Sequence, residues 1–353
     1  MEWRHALVVT LIVQACFLIG LLLQIATIRI LDVIRDRRMA PLLSRFERTL
    51  RLWSLGEAPV QDVVLALRPL GRARAIRALS QASSRTEGKD WRALGDALAG
   101  ESWVRGTRRS LSSRRWWKRR ECARLLSVTA TPEDVRAVVR LLRDPHPAVS
   151  IAIVPALERL QGPELTAAVI ERLPHLTPVV LAYHAWTLRR SGAPVAASII
   201  GLLRDADGPM TVRLAEFGAH LADPALRPSF IALAGHANPE VRARAARGLA
   251  TMSNDQVVEV LERLARDDAW QVRLQAVKSL GRIAAPSCLG VLRAALADPV
   301  HWVRLRAGGA LARLGDPGRQ ALAVASAGED AGARDVARLM LSLPGWSLED
   351  VTA

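Results

Sequence analysis

Between residues 114 and 340 apolar side chains recur at helical spacing, in paired segments that return about every 31 residues. Val241, Ala245 and Leu249 stand four apart, as do Val272, Ala276 and Leu280, and Val303, Ala307 and Leu311. That spacing marks one face of a helix. Each such segment is followed by a turn and a second apolar stretch, for example QVVEVLERLARDD or SCLGVLRAALADP. A helical hairpin repeated at this period buries its apolar faces only by stacking on its neighbours. The pattern therefore predicts an all-α solenoid of helical hairpins with a period of about 31. Unit starts fall near Arg115, Pro147, Pro178, Pro209, Pro239, Trp270, His301 and Gly332. Proline suits the first turn of a helix, where its missing N–H costs nothing. Asp144, Asn238, Asp267, Asp268 and Asp298 supply capping types just before these starts. Gly162, Gly281 and Gly315 suit the turn after a helix.

Ahead of the array the pattern changes. Residues 6–28 carry no charge, and as a helix they would span about 34 Å against a bilayer core of roughly 30 Å. The stretch runs into Arg29-Ile30-Leu31 without a small-residue cleavage site, so it reads as an uncleaved anchor. Only Arg4 precedes it, whereas Arg29, Arg35, Arg37, Arg38, Arg45, Arg48 and Arg51 follow. Positive charge resists translocation, which places the N-terminus outside and the array in the cytoplasm. Gln14 and Gln24 inside the span are either tolerated polar residues or donors to a partner's membrane helices. Pro41 is expected to open the next helix, with Leu42, Leu43, Phe46, Leu50 and Trp53 on one face, and further helices fall near 59–68, 71–83, 89–98 and 102–111. The expected organisation is a short extracytoplasmic start (1–5), an anchor helix (6–31), a basic juxtamembrane region of degenerate or capping repeats (32–112), the array (113–340) and a tail (341–353).

Charge refines this picture. The net charge of +15 and pI near 11.3 suggest a nucleic-acid protein until the charge is located. Residues 1–120 hold 23 Lys/Arg against 10 Asp/Glu, and residues 121–353 hold 26 against 24, so the array is almost neutral. Cys16, Cys122 and Cys288 lie far apart without metal spacing and fit a reducing compartment. The scattered histidines form no HxxH or HExxH arrangement, and His146, His236 and His301 fall near turns.

The recurrent D-P-x-x-x-V-R-x-x-A-x-x-A-L-x-x-L-G resembles the HEAT repeat family in its short form, the phycobilisome-lyase type. The match is clearest in ANPEVRARAARGLA, DDAWQVRLQAVKSLG and DPVHWVRLRAGGALARLGDP, and it covers roughly residues 113–340. The resemblance implies a right-handed α-solenoid of antiparallel helix pairs that binds protein along its inner face. The family includes phycobilin lyases and DNA glycosylases, neither of which fits an anchored chain with a nearly neutral array. The motif is specific for the fold and uninformative about activity. The units at 147–208 depart from it, with Ser150 and Leu181 where arginine is expected.

Three groups of residues are candidates for function. Arg213, Arg242, Arg273 and Arg304 follow valine at the repeat period and form a candidate ladder. Such arginines pair with turn aspartates of neighbouring units in the family, a role for which Asp268 and Asp298 are placed. A partner's acidic segment is the alternative ligand. Trp270 and Trp302 lie close to the same helix end in adjacent units and read equally as packing or as partner anchors, whereas Trp186 reads as core. The stretch 105–120 holds eight basic residues and no acid: Arg105, Arg108, Arg109, Arg114, Arg115, Lys118, Arg119 and Arg120, with Trp116 and Trp117 among them. A solvated face, anionic lipid headgroups and a polyanion such as nucleic acid compete for it.

No phosphate-binding loop, nucleophile elbow or dinucleotide fingerprint is present, and no catalytic residue, metal ligand or cofactor site is expected. The expected function is a non-enzymatic scaffold in the bacterial inner membrane. Its partner is another, membrane-associated protein, rather than nucleic acid or a small-molecule substrate. A polyanion-binding module acting through 105–120 is the alternative.

Overall fold

The computed structural model describes residues 2–83, 91–192 and 194–343; before residue 37 it describes side chains only at 14, 17–25 and 27. Among the described residues every regular element is helical and no strand occurs. The chain divides into two compact units, Met1–Ala156 and Leu157–Ala353.

The first unit begins with a single long helix, α1 (Glu2–Leu55). Pro41 lies inside α1 rather than opening a new helix. The hydrogen bond it forgoes belongs to an exposed stretch, where water can meet the freed carbonyl. Phe46 and Leu50, near the end of α1, are buried in a core with Val63, Leu67, Ile76, Leu79, Leu94 and Leu98. Those residues come from α2 (Val60–Leu67), α3 (Arg72–Ser83) and α4 (Trp91–Ala99). Trp53 meets Trp91 edge-on at 5.9 Å. Next come α5 (Ser102–Arg108), α6 (Trp116–Thr129), α7 (Val135–Leu142) and α8 (Pro147–Ile153). Helix α6 packs against α3, α4 and α5 as well as α8, so the first two regular repeats share a unit with the residues before 113. Pro155 cannot donate an N–H, and α8 ends in a 3₁₀ turn over Val154–Glu158, where the two units divide.

Along α1, Phe17, Leu18, Ile19, Leu22 and Leu23 are more than half exposed. Among the described residues no helix is long and apolar enough to cross a membrane. Residues 6–13, 15–16, 26 and 28–31 of the expected anchor lie outside the residues whose side chains are described, and so does Cys16. The tail at 344–353 also lies outside the description.

The second unit holds α9 (Pro163–Ile170), α10 (Pro178–Ser191), α11 (Val195–Asp205), α12 (Gly208–Leu221), α13 (Arg227–Leu233) and α14 (Pro239–Leu249). It continues with α15 (Asp255–Leu264), α16 (Trp270–Ile283), α17 (Leu289–Ala295), α18 (His301–Arg313), α19 (Asp316–Ser326) and α20 (Ala331–Ser342). The even-numbered helices open within a residue of the repeat starts. They pack in order, α10 on α12, α12 on α14, and so on to α20. From α11 on, each odd-numbered helix packs against the even helix that follows it, and this is the layered hairpin stack that the periodicity calls for.

Glycine divides into two uses here. Gly315 sits at φ +69°, the left-handed turn expected of it. Gly281 is not a turn residue: it is buried inside α16, and a Cβ there would come within 2.5 Å of the Ala310 Cβ on α18. The left-handed cap of α16 falls on Ala284 instead, at φ 52°.

Candidate functional site

Arg242, Arg273 and Arg119 share one geometry. Each lies four residues past a helix N-cap and holds a carboxylate 25 residues further on, in the turn before the next stacked helix. Arg242 donates to Asp267 from Nε and Nη2 at 2.8 and 2.7 Å. Arg273 does the same to Asp298 at 2.7 and 3.0 Å, and Arg119 to Asp144 at 2.6 and 2.9 Å. The third nitrogen of each arginine donates to carbonyls five and six residues back in its own turn. Each aspartate also accepts the backbone N–H of the residue two ahead, the N-cap of the following helix. One carboxylate thus shapes a turn and ties two repeats together. In the second unit the rungs run on without a break: Arg242 to Asp267, whose carbonyl accepts from Arg273, then Asp298, whose carbonyl accepts from Arg304 at 2.8 Å.

The aspartate on Arg242 is Asp267, and the expected Asp268 contributes only its backbone carbonyl, to Arg273. Arg213 is not a rung. Its turn residue would be His236, whose ring nitrogen accepts from the Asn238 N–H at 3.0 Å, and 25 residues before His236 stands Thr211. Arg213 lies two residues beyond that place and reaches Glu216 at 3.4 Å. Arg304 keeps its turn carbonyls, but its Nε is buried without an acceptor. Arg334 on α20 repeats the same turn contact, donating to the Gly328 carbonyl at 3.2 Å, although no Val-Arg phrase marks it.

Asp144, Asp267 and Asp298 titrate below the usual carboxylate range. Burial alone would raise them, but the arginine and backbone hydrogen bonds and the adjacent arginine charges outweigh it. His184 and His220 are also depressed, chiefly by burial. All five groups bind protons more readily in the unfolded chain, so folding stability must fall as pH falls. The histidines act first, below the unfolded histidine pKa of about 6.5, and the aspartates follow below about 4. A urea midpoint that stayed constant from pH 7 to pH 3 would contradict this.

The basic stretch 105–120 is not one free surface. Arg108 makes a bidentate pair with Asp134 at 2.8 and 3.1 Å, and Arg119 is the rung just described. Trp116 stacks on the His146 ring at 4.0 Å, and the Arg120 guanidinium lies 5.3 Å from its ring centre. Arg105, Arg109, Arg114 and Arg115 are exposed, Lys118 and Arg120 are half-buried, and Trp117 is exposed beneath the Arg115 guanidinium. Trp270 is 38% and Trp302 58% exposed at the openings of α16 and α18. Trp186, expected in the core, is 48% exposed, stacked with Tyr183 and with the Arg190 guanidinium 4.8 Å from its ring centre.

The family profile described as HEAT repeats matches residues 195–273 and 263–342. The two matched stretches run over α11–α20. Solved structures similar to the chain include an engineered protein, 19% identical over 88% of this chain and 99% of that one, with a TM-score of 0.38. The CpcE–CpcF complex of phycocyanin lyase from Nostoc is 17% identical over 68% and 94%, with a TM-score of 0.32. Human deoxyhypusine hydroxylase is 17% identical over 77% and 98%, with a TM-score of 0.29. No curated protein sequence matches the chain.

Among the described residues no cluster of His, Cys, Asp or Glu is arranged to hold a metal ion. Cys122 and Cys288 are buried thiols, and burial pushes Cys122 up to about 12, far from a nucleophile's range. An open cleft of about 370 Å³ beside α1 is lined by Phe46, Glu47, Leu50, Arg51 and Gln81. The repeat phrase does not mark the six cations that stand two, five and nine residues beyond the rung places in α14, α16 and α18: Arg244, Arg247, Lys278, Arg282, Arg306 and Arg313. The 31-residue offset would have found them.

Proposed function

We propose that this chain is a membrane-anchored, non-enzymatic scaffold whose helical repeats hold another protein at the cytoplasmic face of the bacterial inner membrane. The apolar part of α1 spans that membrane with its N-terminus outside. The partner is part of a membrane-associated enzyme complex. The observation that carries this reading is the division of labour along α1. One end is fixed in a folded core by Phe46 and Leu50, while Phe17 to Ile25 expose apolar side chains on the same continuous helix. A bilayer removes the cost of that exposure. The folded units offer a repeat stack, which in HEAT-repeat proteins commonly serves to bind other proteins.

Fractionation and affinity purification test the reading together. The tagged chain should sediment with membranes and resist alkaline carbonate, whereas a chain without residues 1–38 should be soluble. A phosphatase fused after residue 55 should be inactive, as a cytoplasmic domain requires. A stoichiometric protein partner should elute from gently solubilised membranes. A chain that is wholly soluble, or that elutes with nucleic acid alone, would overturn it.

A second reading rests on the exposed Arg105, Arg109, Arg114 and Arg115 and the exposed Trp117. A tethered chain carrying them beside anionic headgroups gains about 1 kcal/mol per basic residue. Residues 39–353 should then prefer vesicles containing anionic lipid over neutral ones, and equal binding to both would remove this reading.

A further inference from the structure

The near-zero net charge of the array hides a segregation. Twelve positions lie two, five and nine residues beyond the rung place in α12, α14, α16 and α18, and seven of them are Arg or Lys. The first row reads Arg213, Arg244, Gln275 and Arg306; the second Glu216, Arg247, Lys278 and Gly309; the third His220, Thr251, Arg282 and Arg313. Offsets of two, five and nine fall close together around a helix of 3.6 residues per turn, and the four helices pack in sequence, so the rows form one face. The charges feel one another across it. Lys278 is depressed by burial and then by Arg306, Arg282, Arg247 and Arg313. Arg247 is depressed by burial and then by Arg244 and Arg282. Glu216 is the one carboxylate in the three rows, and it is buried and reaches Arg213. Glu240, at the edge, pairs with Arg244 at 3.1 Å.

Gathering like charges on one face opposes folding, and Thr251, Gln275 and Gly309 fill the same places without charge. We propose that this face of α12, α14, α16 and α18 is the docking surface for an acidic, extended segment of a partner protein. The proposal rests on the scaffold reading and gives it a location. Stacked helices lie about 8–10 Å apart, and an extended chain advances about 3.3–3.6 Å per residue, so an acidic side chain at every third position meets one helix after another. Guanidinium forks match carboxylates in the bidentate manner that the rungs already use. The twelve positions include no Trp, Tyr or Phe on which bases could stack, which favours an acidic peptide over a single-stranded nucleic acid.

The test is fluorescence anisotropy with the full-length chain in neutral detergent and a labelled 24-residue peptide of repeating Glu-Ser-Gly. The peptide should bind, with affinity that falls as salt rises, and the matching Lys-Ser-Gly peptide should not. Arg247→Glu with Lys278→Glu should weaken binding at least about tenfold. Arg282→Ala with Arg313→Ala, at exposed sites, should weaken it by about threefold or more while leaving the urea midpoint at the parent's value. Arg263→Ala with Arg293→Ala, on α15 and α17, should leave it unchanged. Absence of peptide binding, equal affinity in the charge-reversed chain, or tighter binding of a 24-nucleotide oligothymidylate would each overturn the proposal. A charge-reversed chain that still co-purifies with its membrane partner would keep the scaffold and lose this face.

Discussion

Asp298→Ala should lower the unfolding free energy by about 3–5 kcal/mol, the range for stranding one member of a buried ion pair. The Arg273 and Asp298 side chains are only 14% and 7% exposed. Removing the carboxylate leaves the largely buried Arg273 with two unmet N–H groups, and it also strips the turn contact to Val300 N–H at 2.8 Å. Asp268→Ala, one residue beyond the equivalent Asp267, removes an exposed side chain and should change stability by no more than about 0.5 kcal/mol. Asp298→Asn keeps an acceptor for the turn and should fall between the two. Urea unfolding followed by circular dichroism reads all three. If Asp298→Ala costs less than about 1 kcal/mol, the rungs do not hold the stack together. Adding Arg273→Met separates the causes: the double variant should be more stable than Asp298→Ala alone, because the stranded guanidinium is then gone.

The rungs also mark how far sequence reasoning reaches. Hairpin period, helix openings and the all-helical class are legible because apolar spacing and turn residues are local signals, and α10 to α20 open where those signals lie. Arg213 shows the limit of a two-letter phrase. Val-Arg recurs at 212–213, but the offset to the turn residue, which sets the contact, points to Thr211. Arg119 shows the converse. It sits in a run of eight basic residues that reads as a charged patch, yet it has the same 25-residue relation to Asp144 that Arg242 has to Asp267. Trp186 reads as core because it lies inside an apolar helix. Its face of α10 also carries Arg190, whose guanidinium lies against the ring. The basic face is illegible in net charge, since acidic residues such as Asp255, Glu259 and Glu262 sit on α15 rather than on the stacked helices. Composition sums what the fold separates.

Gly248→Ala should destabilise the second unit by about 2 kcal/mol, through overpacking at one ring. Phe230 on α13 is fully buried, and it lies between glycines of two successive stacked helices. A Cβ at Gly248 would stand 2.2 Å from Phe230 Cε1 and 2.5 Å from Cδ1. The ring has no room to retreat, because a Cβ at Gly218 would already come within 3.0 Å of its Cε2 and Cζ. Alanine's better helix propensity, worth up to about 1 kcal/mol over glycine, offsets part of the loss but not all of it. Phe230→Leu alone leaves a cavity and should also destabilise. Combined with Gly248→Ala it should be milder than the sum of the two by at least about 1 kcal/mol, since the smaller side chain vacates the space the new methyl needs. Strict additivity in urea titrations would mean that the two positions do not meet, and that close approach of α13 to α14 is not what glycine provides there.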